Sequence, residues 1–224
     1  MGRFSDALPH VGRHFSRTEI LGFYSEVILP RFYDILMDTP FLSRRRQEQL
    51  AGVSGEVLEI GAGTGLNLPH YPQSVRRIAT VDPNRGMHKR LQARIAETGV
   101  EVDTWVVSGE QLPFEDASFD FVVSTLTLCS IPDARRAVAE LFRVLKPGGQ
   151  FVFLEHGISP DDRVRRWQHR LNWLQRRFAD GCRLDIDVRQ LVRSQPFTMV
   201  EIDNFYLERV PKSHGYIYRG AATK

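Results

Sequence analysis

Between positions 56 and 155 the chain alternates short apolar runs with longer amphipathic stretches. Apolar runs bounded by turn residues predict strands at 56–60, 76–81, 100–107, 119–124 and 150–155. Between them, 84–98 reads as a helix ended by Gly99, and 132–144 as a helix opened by Pro132 and Asp133. Lys146-Pro147-Gly148-Gly149 reads as a turn. Further on, 161–179 predicts a long helix and 188–194 a short one, while 197–206 and 216–219 predict a closing antiparallel pair. The alternation implies an α/β fold with a doubly wound, mostly parallel seven-stranded sheet whose last strand is antiparallel.

The N-terminal part follows a different period. Phe15, Ile20, Phe23, Tyr24, Val27, Ile28, Phe32, Tyr33, Ile35 and Leu36 recur at helical spacing, interrupted at Pro30, which ends or kinks a helix. Ser43 predicts the cap of a short helix through Leu50. Residues 1–52 therefore read as an N-terminal helical cap on an α/β domain at 53–224, the two forming one unit. With 224 residues the chain is long enough for a full core. Its 42% hydrophobic and 25% charged residues are ordinary for a globular protein. A net charge of +3 does not argue for nucleic acid. No stretch approaches the ~20 apolar residues of a membrane span. Two cysteines, Cys129 and Cys182, without an apolar leader suggest a reducing cytoplasm. Asp6 stands where a myristoylation signal requires Ser or Thr.

The chemistry is concentrated where the first strand ends. Glu59-Ile60-Gly61-Ala62-Gly63-Thr64-Gly65 follows the apolar Val57-Leu58, and Asp82 follows Gly61 by 21 residues. Glycines after a strand let the backbone turn tightly against a ligand, and an acid ~20 residues later reaches a ribose hydroxyl. The third glycine comes one residue earlier than in the dinucleotide fingerprint G-x-G-x-x-G, where Leu66 stands.

The form E-x-G-x-G-x-G with a later acid resembles the first motif of the class I S-adenosylmethionine (SAM) methyltransferases. Gly109-Glu110-Gln111-Leu112-Pro113-Phe114, the stretch from Thr125 to Ile131, and Arg143-Val144-Leu145-Lys146-Pro147-Gly148-Gly149 resemble that family's later motifs. The resemblance implies a Rossmann-like fold, SAM as cofactor and S-adenosylhomocysteine as product. A narrower likeness, from about Arg44 to the end, is to the membrane-associated alkyl-thiol S-methyltransferases. It rests on Val81-Asp82-Pro83-Asn84, on Leu128-Cys129-Ser130, on Glu155-His156, on Asp180-Gly181-Cys182 and on His214-Gly215-Tyr216. Those proteins carry an apolar N-terminal anchor, whereas Arg, His and Glu are scattered through this N-terminus. Bacterial-type phosphatidylethanolamine N-methyltransferases are similar around Leu58 to Tyr71.

The resemblance assigns cofactor contacts residue by residue. Gly61, Gly63 and Gly65 admit the methionine moiety, and Glu59 orients that loop or receives the ammonium through water. Asp82, followed by Pro83, accepts the ribose hydroxyls. Ser108 stands where many relatives place an Asp on the adenine amine, with Gly109 and Glu110 beside it. Thr125 and Leu126 line the methionine end. His156, directly after the fifth strand, is the candidate acceptor-side catalytic residue, and Cys129 lines the methyl pocket or simply packs. No cysteine–histidine spacing suggests a metal. The expected partner is a small-molecule acceptor, first a small apolar thiol, with a lipid amine or a non-catalytic SAM-binding role as alternatives.

The helix at 161–179 adds a possible surface role. Val164, Trp167, Leu171, Leu174 and Phe178 make one apolar stripe, Arg163, Arg165, Arg166, Arg170, Arg176 and Arg177 cover much of the rest, and Trp173 lies off the stripe. This reads either as a sheet-covering helix with a solvated basic face or as a border of the acceptor pocket that touches anionic membrane. The expected location is the cytoplasm, with peripheral membrane contact under the second reading.

Overall fold

A computed structural model describes residues 29–224, with side chains from Tyr33 onward. The elements, in chain order, are α1 (Leu29–Met37), α2 (Pro40–Leu50), β1 (Gly55–Ile60), β2 (Val75–Val81), α3 (Arg85–Ile95), β3 (Glu101–Trp105), β4 (Phe119–Thr125), α4 (Ala134–Val144), β5 (Leu145–His156), α5 (Asp162–Phe178), α6 (Val188–Val192), β6 (Met199–Tyr206) and β7 (Tyr216–Thr223). They build one seven-stranded sheet in the order β3-β2-β1-β4-β5-β7-β6. Strands β1 to β5 pair in parallel, and β7 runs antiparallel to both β5 and β6. The sheet therefore matches the expected Rossmann-like topology.

The central strands carry apolar side chains on both faces because both faces are covered. Leu58, Val122, Phe151 and Phe153 pack with Val138, Leu141 and Val144 of α4. Val57, Ile78 and Val123 pack on the other side with Leu50 and Leu91. Each such fully buried side chain contributes roughly 1.5–3 kcal/mol.

Several boundaries differ from the sequence expectation. Helix α2 starts earlier than Ser43 implied: Thr39 is the N-cap, its Oγ1 accepting from Leu42 N at 3.3 Å, with Pro40 in the first turn. Pro30 lies within α1 as described from Leu29; positions 14–28 of the expected helix lie outside the described residues. The expected turn at Lys146 to Gly149 is absorbed into an irregular start of β5. Gly148 N there donates to Lys224 O at 2.9 Å, and the β4 register shifts between Phe119 and Phe121. Helix α3 is capped by Asn84 and stops at Ile95, short of Gly99. Helix α5 is capped by Asp161, but its apolar stripe does not form the buried face. Val164 and Gln168 are buried, whereas Trp167, Leu174 and Phe178 are more than one-third exposed, as is Trp173.

Candidate functional site

The strand order reverses between β1 and β4, and the carboxyl edge at such a switch point is where ligands bind in open α/β sheets. Gly61, Gly63 and Gly65 line it with φ values of +63°, +54° and +85°. A Cβ at Gly61 would lie 2.1 Å from Thr127 Cγ2, so only glycine lets the two loops approach. Thr127 Oγ1 donates to Gly61 O at 3.3 Å.

Asp82 ends its strand facing this loop. Its Oδ2 accepts from Gly63 N and its Oδ1 from Asn84 N, both at 2.8 Å. Burial raises its carboxyl above the ordinary value, although the Asn84 and Gly63 amides pull it down. A carboxylate oxygen has two acceptor sites, so each oxygen keeps one for an incoming hydroxyl. Pro83 follows, exposed, and a shallow pocket opens between Gly63, Asp82, Asn84, Met87, Trp105 and Val106.

Glu59 lies beneath the loop and is 3% exposed. Its Oε1 accepts from Asn67 Nδ2 at 3.0 Å and its Oε2 from the Tyr71 hydroxyl at 2.8 Å. Burial, only partly offset by these bonds and by the charge of Arg46, pushes its carboxyl up to about 7. Arg46 comes down from α2 and is 3% exposed. Its Nε and Nη1, and the Asn67 Oδ1, are buried without a hydrogen-bonding partner. Unmet buried donors on Arg46 together with the Glu59 carboxylate and the one unmet acceptor, Asn67 Oδ1, are the complement of a zwitterionic amino acid. They therefore fit the methionine end of SAM, as the glycine cradle fits its close backbone approach. Helix α1 crosses the same loop: Asp34 accepts from Thr64 Oγ1 at 2.5 Å and pairs with Arg90 and Arg94 of α3.

The remaining predicted cofactor residues differ in role. Ser108 Oγ donates to Glu110 Oε2 at 2.8 Å, and Glu110 Oε1 accepts from Asp133 N at 2.6 Å, so the Glu110 carboxylate ties its loop to the start of α4. Gly109 is buried beside Ile131. Thr125 Oγ1 accepts from Asn67 Nδ2 at 2.9 Å and donates to Gln49 Oε1 at 3.0 Å. Leu126 has φ +55°, a strained conformation for a leucine. Glu155, fully buried, holds that turn. It accepts from Ser124 Oγ at 2.5 Å, from Thr127 N at 2.9 Å and from Leu128 N at 3.1 Å. Arg46, Asn67, Tyr71 and Glu155 were not singled out from the sequence as cofactor-site residues. Their signal is burial of polar groups, which appears only once the chain is folded.

Beyond the loop after β4 the structure gathers residues from three separate segments. His156 Nε2 lies 3.0 Å from Cys182 Sγ, and Cys182 Sγ lies 3.3 Å from Cys129 Sγ. Cys129 and Cys182 are buried and His156 is partly so. The Cys129 thiol beside it and burial push the Cys182 thiol well up, so it is neutral as it stands. His156 is thus paired with a thiol rather than free. Cys129 is both buried packing and a member of this cluster.

Comparison with known proteins bears on the family and the fold. The family described as "Methyltransferase domain" matches residues 58–153. Thiol S-methyltransferase TMT1B of Rattus norvegicus is 35% identical over 162 residues, covering 70% of this chain and 66% of that protein. Thiol S-methyltransferase TMT1A of Homo sapiens is 32% identical over 183 residues, covering 77% and 75%. The chain thus spans about two thirds of the length of the rat relative. Among solved structures, a SAM-dependent methyltransferase of Thermotoga maritima, a possible histamine N-methyltransferase, matches in fold. Its TM-score is 0.65 at 21% identity, over 91% of this chain and 98% of that one.

Proposed function

From the premise that this chain belongs to the class I SAM-dependent methyltransferases, near their thiol S-methyltransferase branch, we propose that it methylates the sulfur of small, fairly apolar thiols. One observation carries the choice of acceptor. Leu128-Cys129-Ser130, Glu155-His156 and Asp180-Gly181-Cys182, three segments on which the likeness to thiol methyltransferases rests, converge on a single point at the sheet's carboxyl edge.

When bound, SAM supplies an electrophilic methyl on a sulfonium and a thioether leaving group. The protein's own work is then to bind, align and exclude water. In this reading Asp82 accepts from the ribose hydroxyls while its bonds to Gly63 and Asn84 keep it in place. Arg46 meets the methionine carboxylate, and Glu59 with Asn67 Oδ1 meets the ammonium. Thr127 and Leu128, held by Glu155, shape the wall between cofactor and acceptor. A thiol suits such a site because its thiolate is accessible near neutral pH and is intrinsically nucleophilic.

The test is initial rates with labelled SAM on a panel of alkyl thiols and their matched amines and alcohols. Thiols are expected to react fastest. A lipid amine or simple amine that outruns its thiol analogue at saturating SAM would replace this reading with N-methylation. No turnover on any acceptor, with tight SAM binding, would replace it with a non-catalytic binding role.

A further inference from the structure

Cys129, His156 and Cys182 are 26 to 53 residues apart in sequence, yet their ligand atoms all lie within 4.8 Å of one another. Two thiols and an imidazole are the donor set that borderline-soft cations choose over the hard ones. Ideal tetrahedral zinc, with bonds of ~2.3 Å to sulfur and ~2.0–2.1 Å to nitrogen, needs S···S near 3.8 Å and S···N near 3.6 Å. The observed 3.3 Å and 3.0 Å are about half an ångström tighter, a gap that small side-chain rotations open. A bound cation would displace the thiol protons of Cys129 and Cys182 to solvent; around them, Gln175 Nε2 donates to Cys182 Sγ at 3.7 Å, and Ser130 Oγ lies 3.8 Å from Cys129 Sγ. Three protein ligands leave one tetrahedral position open, which is the pattern of catalytic rather than structural zinc. The cluster also adjoins the cofactor loop, because Thr127, two residues before Cys129, contacts Gly61.

We infer that Cys129, Cys182 and His156 bind one zinc-like cation whose fourth ligand is the acceptor sulfur. The inference rests on the thiol reading above. On coordination the acceptor R–SH gives its proton to solvent and binds as thiolate. A sulfur lone pair then forms the new S–CH3 bond as the methyl–sulfonium bond breaks, its electron pair staying on the departing sulfur of S-adenosylhomocysteine. The product thioether is neutral, a weaker ligand than a thiolate, and yields its place to the next thiol. His156 is in this account a ligand that tunes the cation rather than a free base.

The test uses the full chain. Elemental analysis of protein purified without chelators is expected to give close to one zinc per chain. Cobalt(II) replacement is expected to give thiolate charge-transfer absorption and tetrahedral visible bands, both lost in Cys182→Ser and in His156→Ala. Adding propanethiol is expected to shift the visible bands. Stripping the metal is expected to cut thiol methylation at least tenfold while S-adenosylhomocysteine affinity changes less than twofold. Should the variants fail to fold, the cobalt spectrum of the unmodified protein decides alone. Full thiol methylation by a metal-free protein overturns the metal site and leaves the thiol reading intact. A cobalt spectrum blind to propanethiol overturns the open position, and a Cys129–Cys182 disulfide in protein kept under reducing conditions overturns the cluster as a ligand set. Preference for amines with one bound metal overturns the thiol reading, and with it the sulfur ligand.

Discussion

Glu59→Gln separates charge from shape in the cofactor site. The amide can keep both contacts, its oxygen accepting from Asn67 Nδ2 and its N–H donating to the Tyr71 oxygen. What it loses is the carboxylate that, in the proposed reading, meets the SAM ammonium. Because burial pushes that carboxyl up to about 7, its charge state changes within the working range. At pH 7.5 it is mostly ionised; at pH 5.5 it is protonated and must release its proton for the ammonium to bind. The ionised fraction falls roughly 25-fold between those values, so SAM affinity should fall by a similar factor, or ~1.9 kcal/mol. The ammonium itself, with an α-amino pKa of ~7.7–8.0, stays charged across most of that window. Glu59→Gln should bind SAM about tenfold more weakly at pH 7.5, the cost of one charge-assisted hydrogen bond, with no slope below it. Calorimetry at several pH values, in buffers of different ionisation enthalpy, reads both the slope and the released proton. A wild-type profile as flat as the variant's would refute the role given to Glu59. Stability offers a second reading. The folded pKa lies above the ordinary 4.5, so the contribution of Glu59 is fully present below ~4.5 and is lost as pH rises through about 7. The variant should therefore gain on the wild type in melting temperature from pH 5 to pH 8.

Other outcomes follow from neighbouring groups. Asp82→Ala should weaken SAM by about 1.5–3 kcal/mol, and Arg46→Gln should weaken SAM but not 5′-methylthioadenosine, which lacks the carboxylate; calorimetry with both ligands separates the two effects. Glu155→Ala leaves the buried Thr127 and Leu128 amides without their acceptor and should cost about 2–4 kcal/mol in denaturant unfolding, whereas Glu155→Gln, which still accepts, should cost less. Exposed Trp167 and Trp173 on the arginine-rich α5 should give binding to anionic vesicles that fades with salt, since surface charges are screened within ~10 Å at 0.1 M. Co-sedimentation reads this, and no binding at low salt would leave the helix as a solvated surface.

The sheet was legible because β1, β4 and β5 are buried on both faces and therefore read as short, mainly apolar runs between turn residues. The meeting of the glycine loop and Asp82 was legible because a tight turn after one strand and an acid after the next leave a fixed spacing. Arg46 was not, because within Arg44-Arg45-Arg46 it looks like part of a solvated run, and only the packing of α2 over the loop buries it. The Cys129, His156 and Cys182 cluster was not legible either, because the sheet, not local spacing, assembles it. The α5 stripe misled for a related reason. Helical periodicity locates an apolar face but not what covers it, and here Gln168, bonded to Gly157 O and Ser159 N, takes the buried position.

The central claim is that a sulfur nucleophile is the acceptor. Competing propanethiol against propylamine in one vessel, with labelled SAM limiting and both acceptors at equal concentration, tests it directly by mass spectrometry of the products. The account predicts methyl propyl sulfide as the dominant product at pH 7.5. A dominant N-methylpropylamine would contradict it.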